Sequence, residues 1–238
     1  MKMKRSEKLG MFTGLVVGVL LLLISVFMIF QTTCKVWGAE KPANATQQGI
    51  DVSSHQGKID WEQVKNSALA DYAIIRCGYG VNQTDKDDKY WDYNSSECER
   101  LGIPYGTYLY SGADTTAKAK SEAEHVVRLL QGKNLTYPIY YDMEADMLNQ
   151  LSSTQIGNIA KTFLNTMESY GYKNVAVYSN KYLFETKLTA TVFSDYPKWI
   201  AQHSNKCTYQ GSYHMWQYST QGAVSYTHLR AHETVLDL

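Results

Sequence analysis

Pro138-Ile139-Tyr140-Tyr141-Asp142-Met143-Glu144 reads as a short apolar strand that ends in two carboxylates. Side chains alternate along a strand, so Asp142 and Glu144 fall on the same side. Both lie at the carboxyl end, and in a β/α barrel that end faces the active site. Two carboxylates held close do not ionise independently, so one keeps its proton to a higher pH. A proton donor beside an anionic partner is what cleavage of a glycosidic bond requires. The competing reading is a solvated strand-end turn with two helix-capping acids.

The surrounding sequence decides whether that strand belongs to a barrel. Strand-like runs occur at Gly49–Val52, Tyr72–Cys77, Tyr105–Tyr110, Ile139–Asp142, Val175–Tyr178, Trp199–Ala201 and Met215–Tyr218. Between them, Trp61–Asn66, Lys89–Leu101, Ala117–Leu130 and Thr154–Tyr170 carry apolar residues at helical spacing. Ser153 stands where a helix N-cap is expected, and Gly132 and Gly171 follow helices as stops. Strands alternating with helices predict a parallel sheet. Near-continuous apolar runs such as Ala73-Ile74-Ile75 predict burial on both faces. No glycine-rich phosphate loop marks a nucleotide crevice, so an α/β fold of the TIM-like barrel type is favoured over an open sheet.

Further candidates gather at the same strand ends. Asp51 closes the first strand and would enter the same barrel mouth as Asp142 and Glu144. Arg76 could pair with a carboxylate there or form a structural ion pair. Tyr108, Tyr110, Tyr140, Tyr178, Trp199 and Trp216 are candidates for stacking on sugar rings, although single tyrosines in such a set also serve as core. His55, in Ser54-His55-Gln56-Gly57, reads as a loop histidine.

The chain has 238 residues, with 23 basic and 23 acidic side chains spread along it, so no basic patch points to nucleic acid. Its 19 tyrosines and five tryptophans lean weakly toward carbohydrate. Lys2, Lys4, Arg5 and Lys8 precede an uncharged apolar run from Met11 to Phe30. At ~1.5 Å per residue that run would span a ~30 Å hydrocarbon core. The basic flank would remain inside and direct the rest of the chain outward. Residues 1–34 are therefore expected to form a signal-anchor or signal peptide, and 35–48 a linker. In an exported domain Cys77 and Cys98 form a plausible disulfide pair, against the alternative of buried thiols. His228 and His232 lie four apart but lack the glutamate of a zinc-protease motif, and no metal or cofactor is expected.

These blocks together resemble glycoside hydrolase family 25, the Chalaropsis-type lysozymes. Gly49-Ile50-Asp51-Val52-Ser53-Ser54-His55-Gln56-Gly57 with Ile59-Asp60-Trp61 matches the family's opening. Ile74–Gly80, Ile103–Tyr108, Tyr141–Glu144 and Met215–Tyr218 follow in the family's order. The resemblance covers Gln48 to about Val224, so residues 49–224 are taken as the catalytic domain. It implies a modified barrel of eight strands. It also implies hydrolysis of the β-1,4 bond between N-acetylmuramic acid and N-acetylglucosamine in peptidoglycan glycan strands. Glu144 is then the general acid, Asp142 its partner and Asp51 a further acid of the site. The implied enzyme is monomeric and works at the outer face of the membrane or in the wall. Rival readings are a wall-binding module that does not cleave and a chitinase-like hydrolase.

The chain departs from the family at its end. Members continue with a turn and a strand of the form Val-Asp-x-Asn, whose aspartate joins the acidic cluster. Here Ser225–Leu238 stands instead and resembles a translated sequencing adapter. This tail shows no strand alternation, so the final strand is expected to be missing.

Overall fold

The computed structural model describes residues 45–68, 70–223 and 230–237. Among them, eight strands close into a barrel in chain order. The strands are β1 (Ala45–Val52), β2 (Tyr72–Tyr79), β3 (Tyr105–Tyr110), β4 (Ile139–Asp142), β5 (Val175–Asn180), β6 (Lys198–Ala201), β7 (Met215–Ala223) and β8 (Arg230–Asp237). The helices are α1 (Trp61–Ser67), α2 (Trp91–Leu101), α3 (Thr116–Leu129), α4 (Ser153–Ser169), α5 (Lys181–Thr186) and α6 (Val192–Asp195). β1 to β7 pair in parallel, each with the next. The modified TIM-like α/β fold is therefore the one expected. The apolar run Met11–Phe30 lies outside the described residues. Among the described residues, no helix is long and apolar enough to cross a membrane.

The end of the barrel departs from expectation. The family-type ending is absent from the sequence, yet Arg230–Asp237 pairs antiparallel with both β7 and β1. Its poor alternation did not prevent this, because ladder hydrogen bonds belong to the backbone. Two adjacent open edges of unpaired N–H and C=O groups accept any extended segment that reaches them. β1 also starts earlier than expected, at Ala45, within the stretch read as linker.

Strand alternation sorts side chains into two cores. Outward residues such as Ile75, Leu109, Tyr141 and Val177 pack under the helices with Val126, Ile159 and Phe163. Inward residues, among them Tyr72, Ile74, Tyr140, Trp199 and Met215, fill the barrel itself. At its floor Tyr72 stacks on Tyr137, with ring centroids 4.4 Å apart. Gly49 makes room for this layer, since a Cβ there would lie 2.3 Å from the Tyr72 ring. α4 begins one residue earlier than its sequence suggests. Ser152 is the N-cap, and Gln155 completes a capping box with it. Cys77 and Cys98 are free, buried thiols, so the disulfide alternative falls away. Burial pushes the Cys77 thiol up to about 12, leaving it inert.

His214 closes the floor just before β7. Its Nε2 lies 2.9 Å from the Tyr140 hydroxyl, and its ring stacks on that tyrosine. Nδ1 is buried without a hydrogen-bond partner among the described residues. Burial lowers this imidazole from 6.5 to about 4. The unfolded chain thus takes up a proton that the fold refuses. The stability due to neutral His214 is complete above pH 6.5 and falls as the pH drops toward about 4. We expect the melting temperature to decline across this window, and His214→Gln to flatten the decline. An equally steep decline in the variant would place its origin elsewhere.

Candidate active site

Three acids arrive at one end of the barrel from two strands. Asp51 lies at the carboxyl end of β1 and Asp142 at the carboxyl end of β4, with 4% and 3% of their surfaces exposed. Glu144 follows two residues later and is half-buried. Asp142 is held well above the usual carboxylate range. Burial is the main cause, followed by the charges of Glu144 and Asp51, with Arg76 opposing. Asp142 Oδ1 is buried without a hydrogen-bond partner among the described residues. Arg76 does not bind these acids directly. Its Nε donates to Asp88 Oδ2 at 2.8 Å and its Nη2 to Ser54 Oγ at 2.8 Å. Asp88, which precedes α2, also accepts the Ser54 backbone N–H at 2.9 Å. The arginine is thereby fixed by the strand-end loops, with its positive field on Asp142.

Aromatic rings line the same end. Tyr108 and Tyr110 are half-buried, and Tyr178 is nearly covered. All three phenols are pushed up, first by burial and then by acids of the cluster. Trp199 meets the Tyr178 ring at 4.4 Å and the edge of Tyr108 at 6.4 Å. Its Nε1 is buried without a partner among the described residues.

Two sequence candidates for sugar stacking lie elsewhere. Tyr140 points inward but sits one layer deeper, fully buried and capped by His214. It belongs to the barrel filling. Trp216 follows inward-facing Met215 and so faces outward. There it packs on Tyr218 and donates from Nε1 to Gln202 O at 2.8 Å. Strand alternation sets the relative faces of neighbours, and the absolute face needed the barrel. His55 is exposed in a single 3-10 turn, Ser54–Gln56.

Some polar residues of the region carried no signal in the sequence. Gln217, on β7, donates from Nε2 to Asp51 Oδ2 at 3.1 Å. Its neighbours Tyr178, nearly covered, and His203, at the solvent edge, extend the network. An uncharged amide beside a tryptophan gives no warning of such a position. Among the described residues, no group of three or more His, Cys, Asp or Glu side chains could hold a metal ion.

Clustered carboxylates walled by aromatic rings, at the carboxyl end of a β/α barrel, define a barrel glycoside hydrolase. Comparison with known proteins makes the class specific. The model for glycosyl hydrolases family 25 matches residues 50–226, and the chain belongs to that family. The autolytic lysozyme of Clostridium acetobutylicum is 30% identical over 179 residues, covering 75% of this chain and 52% of the relative. Lysozyme M1 of Streptomyces globisporus is 26% identical over 190 residues, covering 74% and 63%. Among solved structures, the modular autolysin LytC from Streptococcus pneumoniae, in complex with a synthetic peptidoglycan ligand, superposes with a TM-score of 0.71. It shares 32% identity over 79% of this chain and 46% of that one. This chain thus spans about half the length of the Clostridium and Streptococcus relatives.

Proposed function

We propose that this protein cleaves peptidoglycan, at the β-1,4 bond between N-acetylmuramic acid and N-acetylglucosamine. Glu144 acts as the general acid, Asp142 as its carboxylate partner and Asp51 as a further acid of the site. Support comes chiefly from Asp142, whose burial beside Glu144 and Asp51 makes the cluster hold a proton that an isolated carboxylate would have lost. Glu144, the more accessible of the pair, can present that proton to a leaving oxygen. Tyr108 and Tyr110 provide ring surfaces along the substrate's path, backed by the more buried Tyr178 and Trp199.

Two buried polar atoms beneath the cluster have hydrogen-bonding capacity to spare. Asp142 Oδ1 accepts a hydrogen bond when ionised, and Trp199 Nε1–H donates one. Tyr140 and Trp216 have no part in this scheme. The domain acts outside the cell, held by the apolar run Met11–Phe30 or released from it.

The test is to incubate the purified protein with peptidoglycan and, in parallel, with chitin. Wall fragments ending in a reducing N-acetylmuramic acid, with chitin left intact, are expected. Release of N-acetylglucosamine oligomers from chitin would favour a chitinase-like enzyme. Binding to walls without any product would reduce the protein to a binding module.

A further inference from the structure

Gln217 is 1% exposed, and its side chain bonds to Tyr178, His203 and Asp51, which come from different parts of the chain. Its Oε1 lies 3.0 Å from the Tyr178 hydroxyl on β5 and 2.9 Å from His203 Nε2 in the β6–β7 connection. Its Nε2 lies 3.1 Å from Asp51 Oδ2 on β1. The partners' chemistry orients the amide. A carboxylate only accepts, so it must face the NH2 group, and the carbonyl then receives the two donors. The opposite orientation would set a carbonyl against a carboxylate. β1 and β7 are not paired directly, because β8 lies between them. The Gln217–Asp51 bond is therefore a side-chain tie across the position of β8.

We propose that Gln217 is a positioning residue of the acidic cluster: its amide clamps Asp51 in place by bridging it to Tyr178 and His203. The clamp holds the Asp51 charge where it acts on Asp142, and it presents Tyr178 beside Glu144 and Asp142. Tyr178 feels Glu144, Asp142 and Asp51, and Asp142 feels Glu144, Asp51 and the opposing Arg76. Removing the amide takes away one of the ties on the Asp51 carboxylate, lets it shift, and relieves part of the repulsion that raises Asp142. The proposal rests on Asp142 being part of the working acid pair, but its physical core is measurable without turnover.

The experiment follows the carboxyl titration of Asp142 by NMR in the full chain labelled with 13C-aspartate. Gln217→Met keeps the bulk and removes the side-chain hydrogen bonds to Asp51, Tyr178 and His203. Its Asp142 midpoint should move to lower pH, and in an Asp51→Asn background the same substitution should add no further shift. His203→Phe removes one donor to the clamp and should give a smaller shift in the same direction, so the test survives if Gln217→Met does not fold. In parallel, kcat on peptidoglycan should fall ~10-fold or more with KM little changed, as for an interaction expressed mainly in the transition state. The high-pH limb of the activity profile should move with the Asp142 midpoint. A folded Gln217→Met protein whose Asp142 midpoint is unmoved would overturn the clamp, whatever its activity. A wild-type protein that releases no wall fragments would instead overturn the proposed function, and the titration would still judge the clamp.

Discussion

Replacing Glu144 with glutamine is expected to slow wall hydrolysis by about 10²–10⁴-fold, the usual contribution of a general acid. The amide keeps the size of the side chain but has no carboxyl proton to donate. Binding of wall fragments should be nearly unchanged, because the half-buried rings of Tyr108 and Tyr110 are untouched. The loss should appear in kcat rather than KM. Asp142 should also titrate at lower pH in the variant, since the charge of Glu144 ranks next after burial in raising it. Turnover above about a tenth of wild type would remove Glu144 from the role of acid.

Glu122→Ala is expected to destabilise the fold by about 1–3 kcal/mol for each buried donor left without its acceptor, with a cavity cost added. This carboxyl lies on α3 with no exposed surface. It accepts from the Tyr141 hydroxyl at 2.6 Å, from Ser111 Oγ at 2.9 Å and from the Gly112 backbone N–H at 2.8 Å. Burial pushes its pKa up, and these donors pull it back. Truncation would leave one of the two buried hydroxyls short of an acceptor, since Ser111 Oγ and the Tyr141 hydroxyl, 2.9 Å apart, can still bond each other, and it would open a cavity against them. Glu124→Ala is the control. That side chain is half-exposed and touches Lys120 only at 3.8 Å, so the change should cost no more than about 1 kcal/mol. Urea unfolding of both variants measures the difference, and equal midpoints would show that Glu122 is no anchor. Tyr141 also stacks on Phe163, with centroids 3.8 Å apart, so the outer face of β4 is gripped from two helices. The residue next along the strand is Asp142, whose placement depends on that grip.

The sequence made the parallel part of the barrel legible because β1 to β7 each carry a compact apolar run between turn signals. It also placed Asp142 at the carboxyl end of β4 with Glu144 two residues on, although the strand stops at Asp142 and alternation does not set the side that Glu144 faces. α5 and α6 escaped notice because six and four residues are too few to display a helical period. β8 escaped because its pairing is a property of the open edges beside it rather than of its own pattern. Trp199 and Trp216 looked alike in sequence and face opposite sides of the wall. Glu122 resembled an ordinary helix-surface acid, and only the packing of α3 on β3 and β4 makes it a buried hub. Gln217 shows a further gap: a hydrogen-bonding role that depends on three distant segments has no local signature.

The closing strand also fixes an order of events in time. Asp51 on β1 pairs with His232 on β8, so the first strand to be made finds its last neighbour nearly a full domain later. β7 and β1 must both be in position before β8 can bridge them. During synthesis the early strands therefore wait with one flank open, a state exposed to mispairing and aggregation. We expect closure of the ring between β8 and β1 to come last in folding. In refolding followed by pulsed hydrogen exchange, the β1 amides that face β8 should be the last to gain protection, after those of β3 and β4.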